Sequence, residues 1–130
     1  MVCASAIVAA RKADGTTVWD PNAGTTQDAP PDPVCELKLD SSITMTSAKM
    51  NTVTPTWNES ITPNAPPLTA SRLMSQAMPW SIVLYDEDSG GDDTICQLNP
   101  QLSVANFTAG TATFAGPLCP SVTITLTCTQ

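Results

Sequence analysis

The 130-residue chain contains no histidine, and that absence removes several kinds of chemistry. Neither a Ser–His nor a Cys–His nucleophile can be assembled without an imidazole base. A mixed cysteine–histidine metal site is excluded as well. No two of Cys3, Cys35, Cys96, Cys119 and Cys128 stand in C-x-x-C spacing. Basic residues are scarce: five Lys plus Arg face twelve Asp plus Glu, for a net charge of −7. Such a surface repels nucleic acid and anionic membranes and attracts cations. No window approaches the roughly 18 apolar residues of a membrane span. Met1-Val2-Cys3 lacks the basic start and apolar segment of a signal peptide, so export would make this chain a mature or excised piece.

What is present suits β structure. Thr, Ser, Ala and Pro are abundant and charged residues few, as on a secreted all-β domain. The length accommodates one domain with a real core, residues 1–130, rather than two. Cysteines with no metal-ligand spacing favour disulfides in an oxidising compartment. Their odd number leaves at least one thiol unpaired or pairing outside the chain.

Residues 3–10 read as a first strand of small side chains, and Asp14-Gly15 as a turn. Residues 19–33 show no periodicity and carry three Asp and four Pro, so they form a long loop. Residues 34–39 alternate, with Cys35, Leu37 and Leu39 on one face and Val34, Glu36 and Lys38 on the other, as a half-buried strand requires. Cys35 then points into the core, which makes it the candidate for a free, inert thiol. Residues 44–50 suit a hairpin partner, and residues 52–60 a proline bend opening into a strand. Residues 68–78 are the helical candidate, ending before Pro79. Residues 80–85, 95–98 and 122–126 complete the strand set. The pattern predicts an antiparallel β-sandwich of about seven to eight short strands.

The most unusual stretch follows the strand at 80–85. Asp86, Glu87, Asp88, Asp92 and Asp93 place five acidic side chains within eight residues. Gly90 and Gly91 permit the tight bends that turn carboxylates inward. Like charges held on one loop repel unless a cation sits among them, and a crowded set of hard oxygens suits calcium better than zinc or copper. The stretch does not complete an EF-hand: the twelfth place is Gln97, and a strand rather than a helix follows. Asp86 and Asp88 as an acid–base pair lack the aromatic sugar cleft of a glycosidase, so no enzyme reading stands. Asn58-Glu59-Ser60 and Asn106-Phe107-Thr108 fit the N-glycosylation pattern, which arises often by chance.

Four segments in order carry a resemblance: Asp20; Pro31-Asp32-Pro33-Val34; Thr52-Val53-Thr54-Pro55-Thr56-Trp57-Asn58-Glu59; and Leu84-Tyr85-Asp86-Glu87-Asp88 with Asp93. The chain resembles a C2 domain, an eight-stranded β-sandwich that binds calcium in loops at one end. The likeness runs from about Ile7 to Cys128. It departs from the family pattern in an expanded gap of eleven residues between Asp20 and Asp32, in Val34 where an aromatic is usual, and in Thr54 where Asn is usual. The resemblance implies two to three calcium ions held by Asp20, Asp32, Asp86, Asp88 and Asp93, with the main-chain carbonyl of Glu87 as a further ligand. Asp28 and Asp92 are alternative ligands. It implies that the Trp57 segment is a structural corner pinned by Asn58 and Glu59. It also implies disulfides Cys3–Cys119 and Cys96–Cys128, with Cys35 free.

As for partners, the family makes phospholipid the default, but the loops disfavour it. No Lys, Arg or large apolar residue lies between Asp20 and Pro33 or between Asp86 and Asp93. The reading is a calcium-binding, non-catalytic module of an exported or cell-surface protein. The competing reading is an interaction module whose acidic loops contact a protein partner directly.

Overall fold

The computed structural model describes residues 1–21, 28–65, 67–88 and 91–127. The chain runs β1 (Val2–Ile7), β2 (Asp20–Pro21), β3 (Asp28–Ala29), β4 (Pro33–Leu39), β5 (Ser42–Met45), β6 (Thr56–Ser60), α1 (Ala70–Met74), β7 (Trp80–Asp86), β8 (Asp93–Leu98), α2 (Val104–Ala109), β9 (Thr111–Gly116) and β10 (Cys119–Thr125). Two four-stranded sheets form, ordered β6-β1-β10-β9 and β5-β4-β7-β8, and β2–β3 is a small separate ribbon. All strand pairs are antiparallel, so the all-β sandwich expected from the alternation is the fold.

Each sheet contributes its inward face to one core. Cys3, Ala6, Trp57, Ala112, Cys119, Val122 and Ile124 come from the first sheet. Cys35, Leu37, Leu39, Trp80, Ile82, Leu84, Ile95, Cys96 and Leu98 come from the second. Bulges set the phase of the first sheet. The register passes from Cys3↔Glu59 to Ser5↔Thr56, so β6 carries an extra residue there. Asn58, at φ 55°, takes that left-handed bend, which asparagine tolerates better than most residues. The Trp57 segment is thus a corner, as expected. The Trp57 indole N–H donates to the Pro33 carbonyl at 3.3 Å. Glu59 accepts from the Ser47 N–H and Oγ–H, both at 2.7 Å, and from Lys49 Nζ at 2.8 Å.

The cysteine pairing differs from expectation. The bonds are Cys3–Cys35 and Cys96–Cys119. Cys35 is not free: the inward face that suggested an inert thiol aims it across the sandwich at Cys3 on β1. Cys96 on β8 meets Cys119 on β10, again from opposite sheets, which rules out Cys96–Cys128 and Cys3–Cys119. Cys128 lies outside the described residues. Gly116 makes room for the second bridge, since an added Cβ would sit 3.1 Å from Cys119 Sγ and 2.9 Å from Leu98 Cδ2.

Smaller departures have local causes. The helix at 68–78 shortens to α1, whose N-cap is Thr69; its hydroxyl accepts the Arg72 N–H. The partner expected at 44–50 is β5, which begins earlier, at Ser42, because a tight turn with Asp40 at φ 55° returns the chain directly onto β4. Val34 and Glu36 are buried together with the inward residues of β4, and their cross-strand neighbours on β7 are Tyr85 and Val83. The alternation at 34–39 does not mark β4 as interior, since Glu36 is a charged residue whose carboxylate sits 3.2 Å from Lys38 Nζ.

Candidate metal centre

One end of the sandwich collects the acidic residues, and each is carried there by an anchored neighbour. Trp19 is buried, and its indole N–H donates to the Ala9 carbonyl at 2.8 Å, which brings Asp20 back over the end of β1. Asp32 stands between Pro31 and Pro33, both fully buried. The loop 46–55 zips along this segment: Lys49 N–H to Pro33 O at 3.1 Å, Asn51 N–H to Asp32 Oδ1 at 2.5 Å, and Thr52 N–H to Pro31 O at 2.9 Å. Asp86 ends β7, opposite Pro33 on β4 and Asp93 on β8. Asp88 lies two residues on, where its carbonyl accepts the Gly91 N–H at 3.3 Å. Gly91, at φ 128°, occupies backbone space that other residues rarely enter.

Asp20, Asp86 and Asp88 converge, each offering a carboxylate oxygen within 4.8 Å of the others. Asp86 is fully buried. Its Oδ1 accepts the Asp32 N–H at 2.6 Å, while its Oδ2 is buried with no hydrogen-bond partner among the described residues. An unpartnered buried carboxylate oxygen is costly and rare in native folds. Burial is the main cause that raises the Asp86 pKa, with the charges of Asp88 and Asp32 adding and the Asp32 N–H opposing. Asp20 is pushed up to about 7, first by burial, then by a hydrogen bond shared with Asp88 and by the charges of Asp86, Asp88 and Asp32. Three mutually repelling carboxylates with an orphaned oxygen form a donor set that fits a hard divalent cation such as calcium.

The other expected ligands stand around this triad. Asp32 is beside it but spends Oδ1 on Asn51, and its carbonyl accepts the Glu87 N–H at 3.2 Å. The Glu87 side chain is exposed. Asp92 is exposed and accepts the Asp88 N–H at 3.4 Å, bracing its own loop. The side chain of Asp28, and all of Gly90, lie outside the described residues. Asp93 is engaged by a residue that sequence reasoning missed: Lys12 Nζ forms an ion pair with Asp93 Oδ2 and lies 5.5 Å from the centroid of the Trp19 ring. The hydrogen bond to Asp93 is the main cause that raises the Lys12 pKa. In sequence Arg11-Lys12 reads only as part of a polar turn. Its approach to loops far along the chain has no local signal.

A family model described as C2 domain matches residues 6–113. Solved structures share the fold. A calcium-bound structure of the two C2 domains of Extended-Synaptotagmin 2 is 14% identical, with 95% of this chain and 45% of that one covered and a TM-score of 0.54. A structure of the same protein that holds the SMP domain with both C2 domains is 16% identical, with coverage of 94% and 25% and a TM-score of 0.55. Another, titled for the two C2 domains without mention of calcium, is 14% identical, with coverage of 95% and 41% and a TM-score of 0.52. The chain thus spans less than half of each of these structures. No curated protein matches it.

Proposed function

The chain belongs to the C2 domain family, and from that premise we propose that it is a non-catalytic calcium-binding module of an exported multidomain or surface protein. The observation that carries the reading is Asp86 Oδ2, buried and unpartnered where Asp20 and Asp88 also present carboxylates. Asp20, Asp86 and Asp88 would hold the ion, with Asp32, Asp93 and the Glu87 carbonyl as further ligands. Bound calcium supplies the positive charge that lets these carboxylates ionise together. The chain's own part is orientation. The Asp32 N–H fixes one oxygen of Asp86 and leaves the other for metal, and Asn51 fixes Asp32 in turn. A flexible all-oxygen set of this kind favours calcium over magnesium, which dehydrates reluctantly. The family pattern calls for two to three ions, and that number turns on Asp93.

Two disulfides across the core support an oxidising compartment. Phospholipid remains disfavoured as a partner. Lys38 and Lys49 are ion-paired with Glu36 and Glu59 and form no basic patch. Met50, next to Asn51, is an exposed apolar side chain near the loops. The competing reading is direct contact between the acidic loops and a protein partner without calcium. Thermal melting separates the two. At a free concentration near 100 times its dissociation constant, calcium adds about 2.7 kcal/mol to the folded state. That corresponds to a melting temperature about 10 °C above the value in chelator for a chain of this size. Superimposable curves in chelator and calcium would defeat the calcium reading.

A further inference from the structure

The acidic loops already contain a cation of the chain's own. We infer that Lys12 is a tethered counter-ion that stands in for one calcium ion at Asp93, leaving a site for a single calcium at Asp20, Asp86 and Asp88. The inference rests on the calcium reading and sharpens it, because the family pattern leads one to expect two or three ions.

The geometry is built rather than incidental. Lys12 opens a closed turn. Its N–H donates to the Thr17 carbonyl and its carbonyl accepts the Gly15 N–H, both at 2.9 Å. Asp14 accepts the N–H groups of Thr16 and Thr17 at 2.9 and 2.7 Å, and Gly15 sits at φ 72°. Arg11 Nη1 closes the same turn onto the Thr16 carbonyl at 2.6 Å. The Lys12 ammonium is thereby held between the face of Trp19 and Asp93, in the field of Asp86 and Asp88. Trp19 cannot swing away, since it is 2% exposed and bonded to Ala9. An indole face attracts a cation and offers no ligand to a hard metal ion. A second calcium at Asp93 would compete with the ammonium for this carboxylate and sit beside its charge. The first site, at the orphaned oxygen of Asp86, stays open. The Lys12 and Asp93 side chains are 28% and 50% exposed, so the ion pair alone would be weak; the Trp19 face and the charges of Asp86 and Asp88 are what add to it.

Native mass spectrometry in saturating calcium counts the ions directly. The expected result is a single calcium on the wild-type chain and a second on the Lys12→Met variant. In chelator, Lys12→Met should melt below wild type, and adding Asp93→Asn should recover most of that loss by removing the uncompensated charge. A cooperative melt of Lys12→Met in calcium shows that the variant folds. Two or more ions on the wild type, equal counts on both proteins, or no recovery by Asp93→Asn would each overturn the role of Lys12 while leaving calcium binding intact. No bound calcium on either protein would overturn both readings.

Discussion

Removal of either disulfide should cost this domain a large part of its stability, because both bonds tie one sheet to the other. The perturbations are the paired variants Cys3→Ala/Cys35→Ala and Cys96→Ala/Cys119→Ala. The closed loops have sequence separations of 32 and 23. Chain-entropy arguments assign such loops about 3.7 and about 3.4 kcal/mol, respectively. With about 2.1 cal/mol/K of unfolding entropy per residue, 130 residues lose about 0.27 kcal/mol per degree, so each variant should melt about 13 °C lower. The loops do not overlap in sequence, so the combined loss approaches about 7 kcal/mol, comparable to the whole stability of an ordinary domain. Guanidinium unfolding followed by circular dichroism measures the effect. The slope of each transition should also steepen, since an unlinked denatured chain exposes more surface. Unchanged midpoints for both variants would refute the argument. So would alkylation of Cys35 in the denatured, unreduced protein.

Glu59 joins the loop 46–55 to β6, and its carboxyl is held down at about 2, mainly by the hydrogen bond from Lys49 and then by those from Ser47. A depressed carboxylate stabilises the fold fully above its unfolded value of 4.5, and that contribution fades as pH falls from there toward about 2. Wild type should therefore lose more stability across that window than Glu59→Gln, measured by urea midpoints at closely spaced pH. Glu59→Ala should cost about 0.5–1.5 kcal/mol at neutral pH, through loss of the hydrogen bonds from Lys49 and the exposed Ser47; a neutral result would show that this corner does not depend on Glu59. Phosphatidylserine vesicles at physiological salt and millimolar calcium should sediment little of the protein, and robust calcium-dependent co-sedimentation would contradict the partner assignment.

The parts of this fold that are legible in sequence are those with local chemistry. Asp86 and Asp88 follow an apolar run whose strand character is strong, so their place at the end of β7 needs no tertiary contact to be read. Trp57, Asn58 and Glu59 form a corner because an indole, a left-handed asparagine and a carboxylate each satisfy a nearby backbone or side-chain need. The parts that are not legible depend on which distant elements meet. Cys35 points inward, but nothing local shows that Cys3 faces it across the core. The approach of Lys12 to Asp93 spans 81 residues. Helix α2 escapes the hydrophobic pattern although its stops are present. The Asn106 side chain accepts the Ser103 N–H at 2.9 Å, and Gly110 ends the helix at φ 69°. Residues 104–109 are too short a stretch to show a helical stripe. β9 is built of Thr, Ala and Gly around one Phe, and it is recruited as a strand by pairing with β10.

On the proposed function, calcium enters at the unpartnered oxygen of Asp86 between Asp20 and Asp88. Calorimetric titration of calcium into the wild-type chain and into Asp86→Asn, with circular dichroism confirming that both are folded, tests it most directly. The expected result is a saturable isotherm for wild type that magnesium does not reproduce, and its loss in Asp86→Asn. No binding heat with wild type, or the same isotherm with Asp86→Asn, would contradict it.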